Sequence, residues 1–329
     1  MKNHYIKPGA EPGQAIIKKV EPMRINELTN NYYNEYLRHM ETKNYSQTTK
    51  ANYKFSLQKF FKYLESKQTE EVNNDNISRM LEDYQTHLKE NGNHSNETIN
   101  QYITRLKPFL TFCKLVYDIE PIKTEKNRQV KYLKTEEIKE ILKTNKEIKN
   151  RKTANKLEAL ICFMFNTGAR VKEVTRIKIK DLQVNENNKH IVTIHGKGNK
   201  TAVLGVNQDT IEKINIMLED RENVEPEAPL FIGRSGKPLK ERTIQKHFKE
   251  LAKATDERMI METGTNPELT KRFTPHSLRH SIAIYLLNVK EKPVNIVKEY
   301  LRHESLNTTQ HYLRISNKEV VNLGNETLI

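Results

Sequence analysis

The helical spacing of apolar residues in the first part of the chain constrains the fold most. Between about Glu27 and Pro121, apolar side chains recur every three or four residues, which is the period of an amphipathic helix. Four such runs extend over Leu28–Met40, Tyr53–Leu64, Ile77–Leu88 and Ile99–Leu110. Ser46 is the expected N-cap of the second run, and Asn91-Gly92 is expected to end the third. The sequence therefore predicts one compact all-α bundle of four helices.

A different pattern follows in the second part of the chain. Residues 154–166 form the most apolar stretch and predict a buried helix that ends at Gly168. Residues 190–206 carry alternating β-branched side chains on both sides of Gly196-Lys197-Gly198-Asn199, which predicts a hairpin with a basic turn. Helical spacing returns after Asn207. The predicted fold class is therefore mainly α with a small antiparallel β-sheet, divided into an all-α domain and a mixed α+β domain.

Prolines and charges mark the expected domain boundaries. Residues 1–23 carry three prolines and little periodicity, which predicts a flexible N-terminal arm. The helical domain is expected at 24–120, a basic linker at 121–133 and the mixed domain at 134–329, with Thr135 as the N-cap of its first helix. Two domains also fit the usual length of about 150 residues per domain.

The basic composition favours a nucleic-acid partner. Lys and Arg number 56 against 42 Asp and Glu, which gives a net charge of +14. A genome rich in Lys and Asn codons would give the same excess, so charge alone leaves both explanations open. No run of about 18 uncharged apolar residues and no signal-peptide core is present, so we expect no membrane span and a cytosolic location. The chain also lacks a Gly-x-x-x-x-Gly-Lys phosphate loop and a cysteine cluster, which argues against ATP and zinc.

Several basic residues in the mixed domain sit where they could meet a phosphate. Arg170 follows Thr167-Gly168-Ala169 at a tight turn and could present its bidentate guanidinium, or it could form a salt bridge with Glu173 three residues later. His276 and Arg279 lie three apart at the start of a helix after Pro275, a position that favours anions. His276 and His280 lie four apart, but the glutamate of a His-Glu-x-x-His zinc motif is missing.

Tyr312 becomes a candidate nucleophile only in the company of these cations. The chain has 14 tyrosines, and a lone tyrosine is usually a packing residue. A phenol with a pKa of about 10 attacks phosphorus only where cations stabilise the developing charge. Tyr285, within an apolar helical run, and Tyr300, before His303, are rival candidates that packing explains better.

The order of these motifs resembles a known family. Thr-Gly-Ala-Arg-x-x-Glu, Gly-Lys-Gly-Asn-Lys, His-x-Leu-Arg-His, Leu-x-His and a tyrosine nine residues later follow one another over about residues 133–317. This set resembles the tyrosine recombinase (phage integrase) family, including its Xer-type members. The preceding four-helix segment is similar to the core-binding domain of that family in pattern only.

The resemblance implies a role for each matching residue. Arg170 and Arg279 would clamp the scissile phosphate, and Tyr312 would attack it to form a 3′-phosphotyrosine link and a free 5′-hydroxyl. Lys197 would protonate the leaving oxygen, with Lys200 as the alternative. His276 would assist proton transfer at the nucleophile and His303 would hydrogen-bond the phosphate, while Glu173 would orient Arg170 or its helix. The covalent link conserves bond energy, so no metal, ATP or other cofactor is implied.

Two features depart from the family pattern. Arg302 stands where the family usually has glycine between leucine and histidine, which leaves the setting of His303 open and adds a cation that could contact DNA. Residues 256–273 are longer than a compact member needs, and the sequence gives them no role.

The resemblance implies a site-specific DNA recombinase that acts in integration, excision or resolution of DNA. Its expected form is a two-domain clamp on double-stranded DNA with inverted half-sites, and a homotetramer on two duplexes. The tail after Tyr312, with Val320, Val321 and Leu323, would pack on a neighbouring protomer, or it would cap its own domain. The alternatives are a type IB topoisomerase that relaxes DNA as a monomer and a non-catalytic DNA-binding protein on the same fold.

Overall fold

The chain consists of two compact units, residues 1–128 and 129–329, in a computed structural model. The structure describes residues 21–124, 130–196, 200–222 and 224–303. The described part is mostly helical with small antiparallel sheets, which confirms the predicted fold class. No helix in these ranges is long and apolar enough to cross a membrane.

The first unit is a helical bundle with a very short sheet. Its elements are β1 (Met23–Arg24), a π-helical turn (Glu27–Tyr32), α1 (Tyr33–Thr42), α2 (Gln47–Ser66), β2 (Glu71–Val72), α3 (Ile77–Asn91) and α4 (Asn96–Phe112). Three of the four predicted apolar runs lie within α2, α3 and α4, whereas the first, Leu28–Met40, is divided between the π-helical turn and α1. The β1–β2 pair was not predicted, because two residues are too few to show an alternating pattern. Met23, which we assigned to the flexible arm, pairs with Val72 and is buried.

Side-chain caps and aromatic packing explain why these helices form. Ser46 accepts a hydrogen bond from the Thr49 amide at 3.1 Å, as predicted, and so satisfies one of the free N–H groups at the start of α2. Among the largest buried side chains, Tyr36 of α1 packs edge-on against Phe109 of α4 at 5.4 Å between ring centroids. Burying such rings contributes about 2 kcal/mol each, so the core stabilises the bundle far more than helix propensity does.

The second unit contains a three-stranded sheet among helices. Its elements are α5 (Thr135–Lys146), α6 (Arg151–Thr167), α7 (Val171–Val174), a 3₁₀ turn (Ile179–Asp181), β3 (Leu182–Val184), β4 (His190–His195), β5 (Thr201–Gly205), α8 (Gln208–Glu219), α9 (Glu241–Thr263), α10 (Leu269–Arg272), α11 (Pro275–Ile284), a π-helical turn (Tyr285–Val289) and α12 (Val294–Leu301). The strands run antiparallel in the order β3-β4-β5. The hairpin β4–β5 matches the prediction, whereas β3 was missed because it has only three residues.

The apolar helix α6 forms the centre of this unit and packs against α8 and α11. Asn150 caps its first turn by accepting from the Thr153 amide at 2.9 Å. The helix ends at Gly168, which has the left-handed φ of 58° that glycine adopts without strain. The predicted end of this helix is confirmed, but the N-cap of α5 is Lys134 rather than Thr135.

Residues 256–273, whose role the sequence left open, tie α9 to its neighbours. Asp256 accepts hydrogen bonds from the Leu269 and Thr270 amides at 2.8 and 2.9 Å and so holds the start of α10. The buried guanidinium of Arg258 pairs with Glu140 of α5 and with Glu262. A buried charge is tolerated only when it is paired, and here the pairing joins α9 to α5. We therefore infer that residues 256–273 stabilise the packing of the second unit.

Both ends of the segment expected as a linker are packed within their own unit. Asn100 exchanges hydrogen bonds with Ile122, at 2.8 and 2.9 Å. The Leu133 amide donates to Ser281 Oγ at 2.8 Å, and the Leu133 side chain is buried. The sequence did not predict these contacts, because they are made by backbone groups of Ile122 and Leu133, whereas the linker was predicted from the charged side chains of 121–133.

Candidate active site

Four of the six predicted site residues lie in the described part of the second unit: Arg170, His276, Arg279 and His303. Lys197 and Tyr312 lie outside the described residues, as does the tail that follows Tyr312.

The C-termini of two helices, α6 and α12, bring arginines together. The last carbonyl groups of a helix lack intrahelical partners and carry partial negative charge. Arg279, which is only 4% exposed, donates to the carbonyls of Gly168 after α6 and of Leu301 at the end of α12. One guanidinium therefore joins both helix ends and compensates their charge.

Arg170 lies beside this junction and is held by Glu173. Glu173 Oε2 accepts from the Arg170 amide at 2.8 Å, and its Oε1 accepts from Arg170 Nη1 at 2.9 Å. The salt bridge that the sequence left open is thus present. The Arg170 side chain nevertheless stays 40% exposed, whereas that of Glu173 is 5% exposed. Arg170 is therefore fixed in direction and still accessible to a ligand.

Arg302, the departure from the family pattern, points into the protein. It caps α12 with a left-handed φ of 57°, the conformation in which glycine is unstrained. Its Nη2 donates to Glu173 Oε2 at 3.0 Å and its Nη1 donates to the Tyr300 carbonyl at 3.1 Å. Burial acts to raise the pKa of Glu173, but Arg302 and Arg170 together outweigh it and hold that pKa below its usual value.

His303 and His280 are kept neutral in this setting. Burial, followed by the positive charges of Arg279 and Arg170, lowers the pKa of His303 to about 4. Burial, followed by His276 and Arg279, lowers the pKa of His280 to about 4 as well. At neutral pH each ring therefore acts as an uncharged hydrogen-bonding group.

His276 lies at the N-terminus of α11. Thr274 caps this helix by accepting from the Ser277 amide at 3.0 Å, and Ser277 Oγ accepts from the Thr274 amide at 2.8 Å. The sequence suggested that His276 and Arg279 project in the same way, but His276 is exposed and Arg279 is buried. His276 is therefore the member of this pair that solvent reaches.

The turn between β4 and β5 begins at Gly196, next to Glu173. Gly196 donates to the Lys200 carbonyl at 2.7 Å across the base of the turn. A Cβ atom placed on Gly196 would lie 4.0 Å from Glu173 Oε1. The base of the lysine-bearing turn is thus adjacent to the carboxylate that holds Arg170.

The hydroxyl of Tyr300 is used within the fold. It donates to the Asn166 carbonyl, and burial raises its pKa. Tyr285 packs against Phe165 at 6.1 Å between ring centroids. Tyr300 and Tyr285 therefore have structural roles, as the sequence favoured.

Sequence reasoning missed two contributors to the site. The ion pair between Arg302 and Glu173 spans 129 positions, so no local spacing announces it. His280 was considered as a zinc ligand with His276 and as the end of the His-x-Leu-Arg-His motif, and it was given no role at the site, although it lowers the pKa of His303. Within the described ranges, no three His, Cys, Asp or Glu side chains are grouped so that they could hold a metal ion.

Replacing Gly168 by alanine is expected to destabilise the second unit by about 3 kcal/mol. Alanine is strained at a φ of 58°, and its Cβ would lie 2.7 Å from Leu301 Cδ2. Gly236→Ala is the matched control, because Gly236 has a φ of 72° but no atom within 4 Å of the added Cβ. It should cost only about 1 kcal/mol, the left-handed strain alone. Urea unfolding measures both values, and equal losses would show that the packing at Leu301 does not matter.

Acid is expected to destabilise the second unit through its buried histidines. The unfolded chain binds protons on His280 and His303 near their ordinary pKa of about 6.5, whereas the folded chain binds them only near about 4. The stabilisation is therefore complete above pH 6.5 and is lost as the pH falls to 4, by as much as about 3 kcal/mol per histidine. Urea unfolding between pH 7 and 4.5 should show a smaller decline for His280→Gln than for the wild type. Parallel curves would contradict this prediction.

Comparison with known proteins agrees with the fold. The phage integrase family matches residues 131–319, and the N-terminal SAM-like domain of phage integrases matches residues 32–120. The chain belongs to the phage integrase family, and its relatives are tyrosine recombinases of the Xer type.

Individual relatives show how far the similarity extends. Tyrosine recombinase XerD of Staphylococcus saprophyticus is 29% identical over 170 residues, which is 50% of this chain and 51% of that protein. XerD of Staphylococcus epidermidis is 26% identical over 308 residues, which is 88% of this chain and 96% of that protein. The crystal structure of XerH site-specific recombinase bound to palindromic difH substrate, a post-cleavage complex, has a TM-score of 0.67 at 22% identity. This similarity in fold covers 92% of this chain and 84% of that one.

Proposed function

We propose that this protein is a site-specific DNA recombinase that cuts and rejoins double-stranded DNA through a 3′-phosphotyrosine intermediate. The observation that carries the proposal is that an accessible Arg170 and a buried Arg279 meet at the junction of α6 and α12, where Arg279 donates to the Gly168 and Leu301 carbonyls and Arg170 donates to the Arg302 carbonyl. Such fixed cations bind the more highly charged phosphorane better than the ground-state phosphodiester, and this difference lowers the barrier.

In the proposed covalent step, the other four site residues act as nucleophile, proton donor, proton acceptor and hydrogen-bond donor. Tyr312 Oη attacks phosphorus, the bond to the 5′-oxygen breaks, and Lys197 gives that oxygen its proton. His276, exposed at the start of α11, assists removal of the phenol proton. His303 donates a hydrogen bond to a phosphate oxygen and so helps to orient the phosphate. The phosphotyrosine bond keeps the energy of the broken backbone bond, and rejoining accordingly needs neither ATP nor a metal ion.

Residues 24–120 are proposed as the domain that binds the core DNA site and residues 134–329 as the catalytic domain. Two inverted half-sites and a homotetramer on two duplexes complete the proposal, with integration, excision or resolution in the cytoplasm as its setting. If the tail holds neighbouring protomers, Val320→Asp should leave binding to one half-site intact and weaken pairing of two sites in a gel-shift assay. Unchanged pairing would favour a tail that caps its own domain.

Covalent trapping tests the function. The wild-type protein is incubated in EDTA with nicked duplexes tiled from DNA that flanks its gene, so that the cleaved strand diffuses away and rejoining is blocked. We expect a denaturation-resistant adduct on one duplex, and protease digestion should leave a peptide that contains Tyr312. Binding without an adduct would indicate a non-catalytic protein, and relaxation of supercoiled DNA without recombination would indicate a topoisomerase.

A further inference from the structure

We propose that Arg302 is a positioning residue, which acts through Glu173 to orient Arg170 for the scissile phosphate and to offset the negative charge of Glu173 beside it. The inference rests on the proposed function. It concerns a side chain at a position where the family pattern provides none.

The contacts of Arg302 form a closed ring with the two neighbouring residues. Arg170 Nη1 donates to Glu173 Oε1 at 2.9 Å, and Arg302 Nη2 donates to Glu173 Oε2 at 3.0 Å. Arg170 Nη2 then donates to the Arg302 carbonyl at 3.3 Å. Arg302 thus contacts Arg170 through its backbone carbonyl and contacts Glu173 through its guanidinium. These two acceptors, the Arg302 carbonyl and the Glu173 carboxylate, are the groups that orient the Arg170 side chain.

The direction of its side chain distinguishes positioning from DNA contact. Arg302 is 13% exposed, and its two terminal nitrogens donate to Glu173, to the Tyr300 carbonyl and, at 3.4 Å, to the Gly168 carbonyl. Its Nε is buried as well. Arg170, in contrast, keeps 40% of its side chain exposed. Arg302 therefore faces protein acceptors, and Arg170 is left to face a ligand.

Charge explains what Arg302 adds. A buried carboxylate that binds Arg170 alone would cancel the charge which that guanidinium offers to a phosphate. With Arg302 the cluster holds three guanidiniums, those of Arg170, Arg279 and Arg302, against the single carboxylate of Glu173. Glu173 can then orient Arg170 without neutralising the site.

Single-turnover cleavage by four variants tests the inference on the duplex that traps the wild type. At saturating protein, Arg302→Met is expected to form adduct about 10- to 100-fold more slowly, with DNA affinity and its salt dependence unchanged. Adding Glu173→Gln should recover much of this loss, because it removes the carboxylate left without Arg302. Arg302→Lys should retain most of the rate, and Arg302→Gly should be as slow as Arg302→Met although its backbone is relaxed.

Other results would overturn the inference. A wild-type rate for Arg302→Gly would mean that the guanidinium is not needed. Weaker and less salt-dependent binding by Arg302→Met, with a normal rate at saturation and no recovery by Glu173→Gln, would mean that Arg302 contacts DNA directly. Absence of an adduct from the wild type would instead refute the proposed function. A wild-type adduct combined with an unaffected Arg302→Met variant would refute this inference alone.

Discussion

Tyr312→Phe is expected to abolish the covalent protein–DNA adduct, with a loss of at least about a thousandfold in its rate of formation. The substitution removes only the phenolic oxygen that we propose as the nucleophile and does not change the charge of the protein. DNA affinity in a gel-shift assay should therefore stay at the wild-type value. The rate of adduct formation on a nicked duplex measures the loss directly.

Tyr300→Phe is the matched control for this experiment. It also removes one phenolic oxygen, but that oxygen donates to the Asn166 carbonyl within the fold. We expect this variant to lose about 1 kcal/mol of stability, the value of one hydrogen bond, and still to form the adduct. If Tyr312→Phe formed the adduct and a folded Tyr300→Phe did not, Tyr300 and not Tyr312 would be the nucleophile.

Substitution of the two arginines should separate catalysis from stability. Arg170→Met and Arg279→Met are each expected to slow cleavage by about a thousandfold, because each removes a charged group that we propose as a donor to the phosphate. Arg279→Met should also destabilise the second unit by about 3 kcal/mol, since the carbonyls of Gly168 and Leu301 lose their buried partner. Arg170→Met should cost less than about 1 kcal/mol, because its side chain is partly exposed and Glu173 retains Arg302.

Urea unfolding and single-turnover cleavage, measured on the same preparations, check both effects. Arg279→Lys keeps the charge but lacks the planar fork whose two terminal nitrogens each reach one carbonyl, so it should recover little of the stability. Equal destabilisation by Arg170→Met and Arg279→Met would contradict the difference in burial between the two arginines.

The sequence predicted the helices well because their signals are local. The four apolar runs of the first unit are all helical, although the first begins as a π-helical turn before α1. Ser46 caps α2 through a contact only three residues away. The short strands β1, β2 and β3 were missed, since two or three residues give no alternation to detect. Their pairing depends on residues elsewhere in the chain, such as Val72 opposite Met23.

The site followed the same rule. The contact between Arg170 and Glu173 could be anticipated because three positions separate the residues on one helical turn. The contacts of Arg279 with Gly168 and Leu301 could not, because they span 111 and 22 positions. The different exposure of Arg170 and Arg279 was equally hidden, since burial is a property of the packed unit. The roles of all six site residues remain predictions from the resemblance to tyrosine recombinases, and Lys197 and Tyr312 lie outside the described residues.

Because Arg279 joins the ends of α6 and α12, it would be retained in evolution for stability as well as for activity. A copy that no longer needs to cleave DNA would lose Arg170 with little penalty in stability, but loss of Arg279 would loosen the junction of α6 and α12. Selection for folding alone would therefore preserve this arginine after activity had disappeared. Retention of Arg279 in a divergent sequence is accordingly weak support for catalysis, whereas joint retention of Arg170 and Tyr312 is much stronger support.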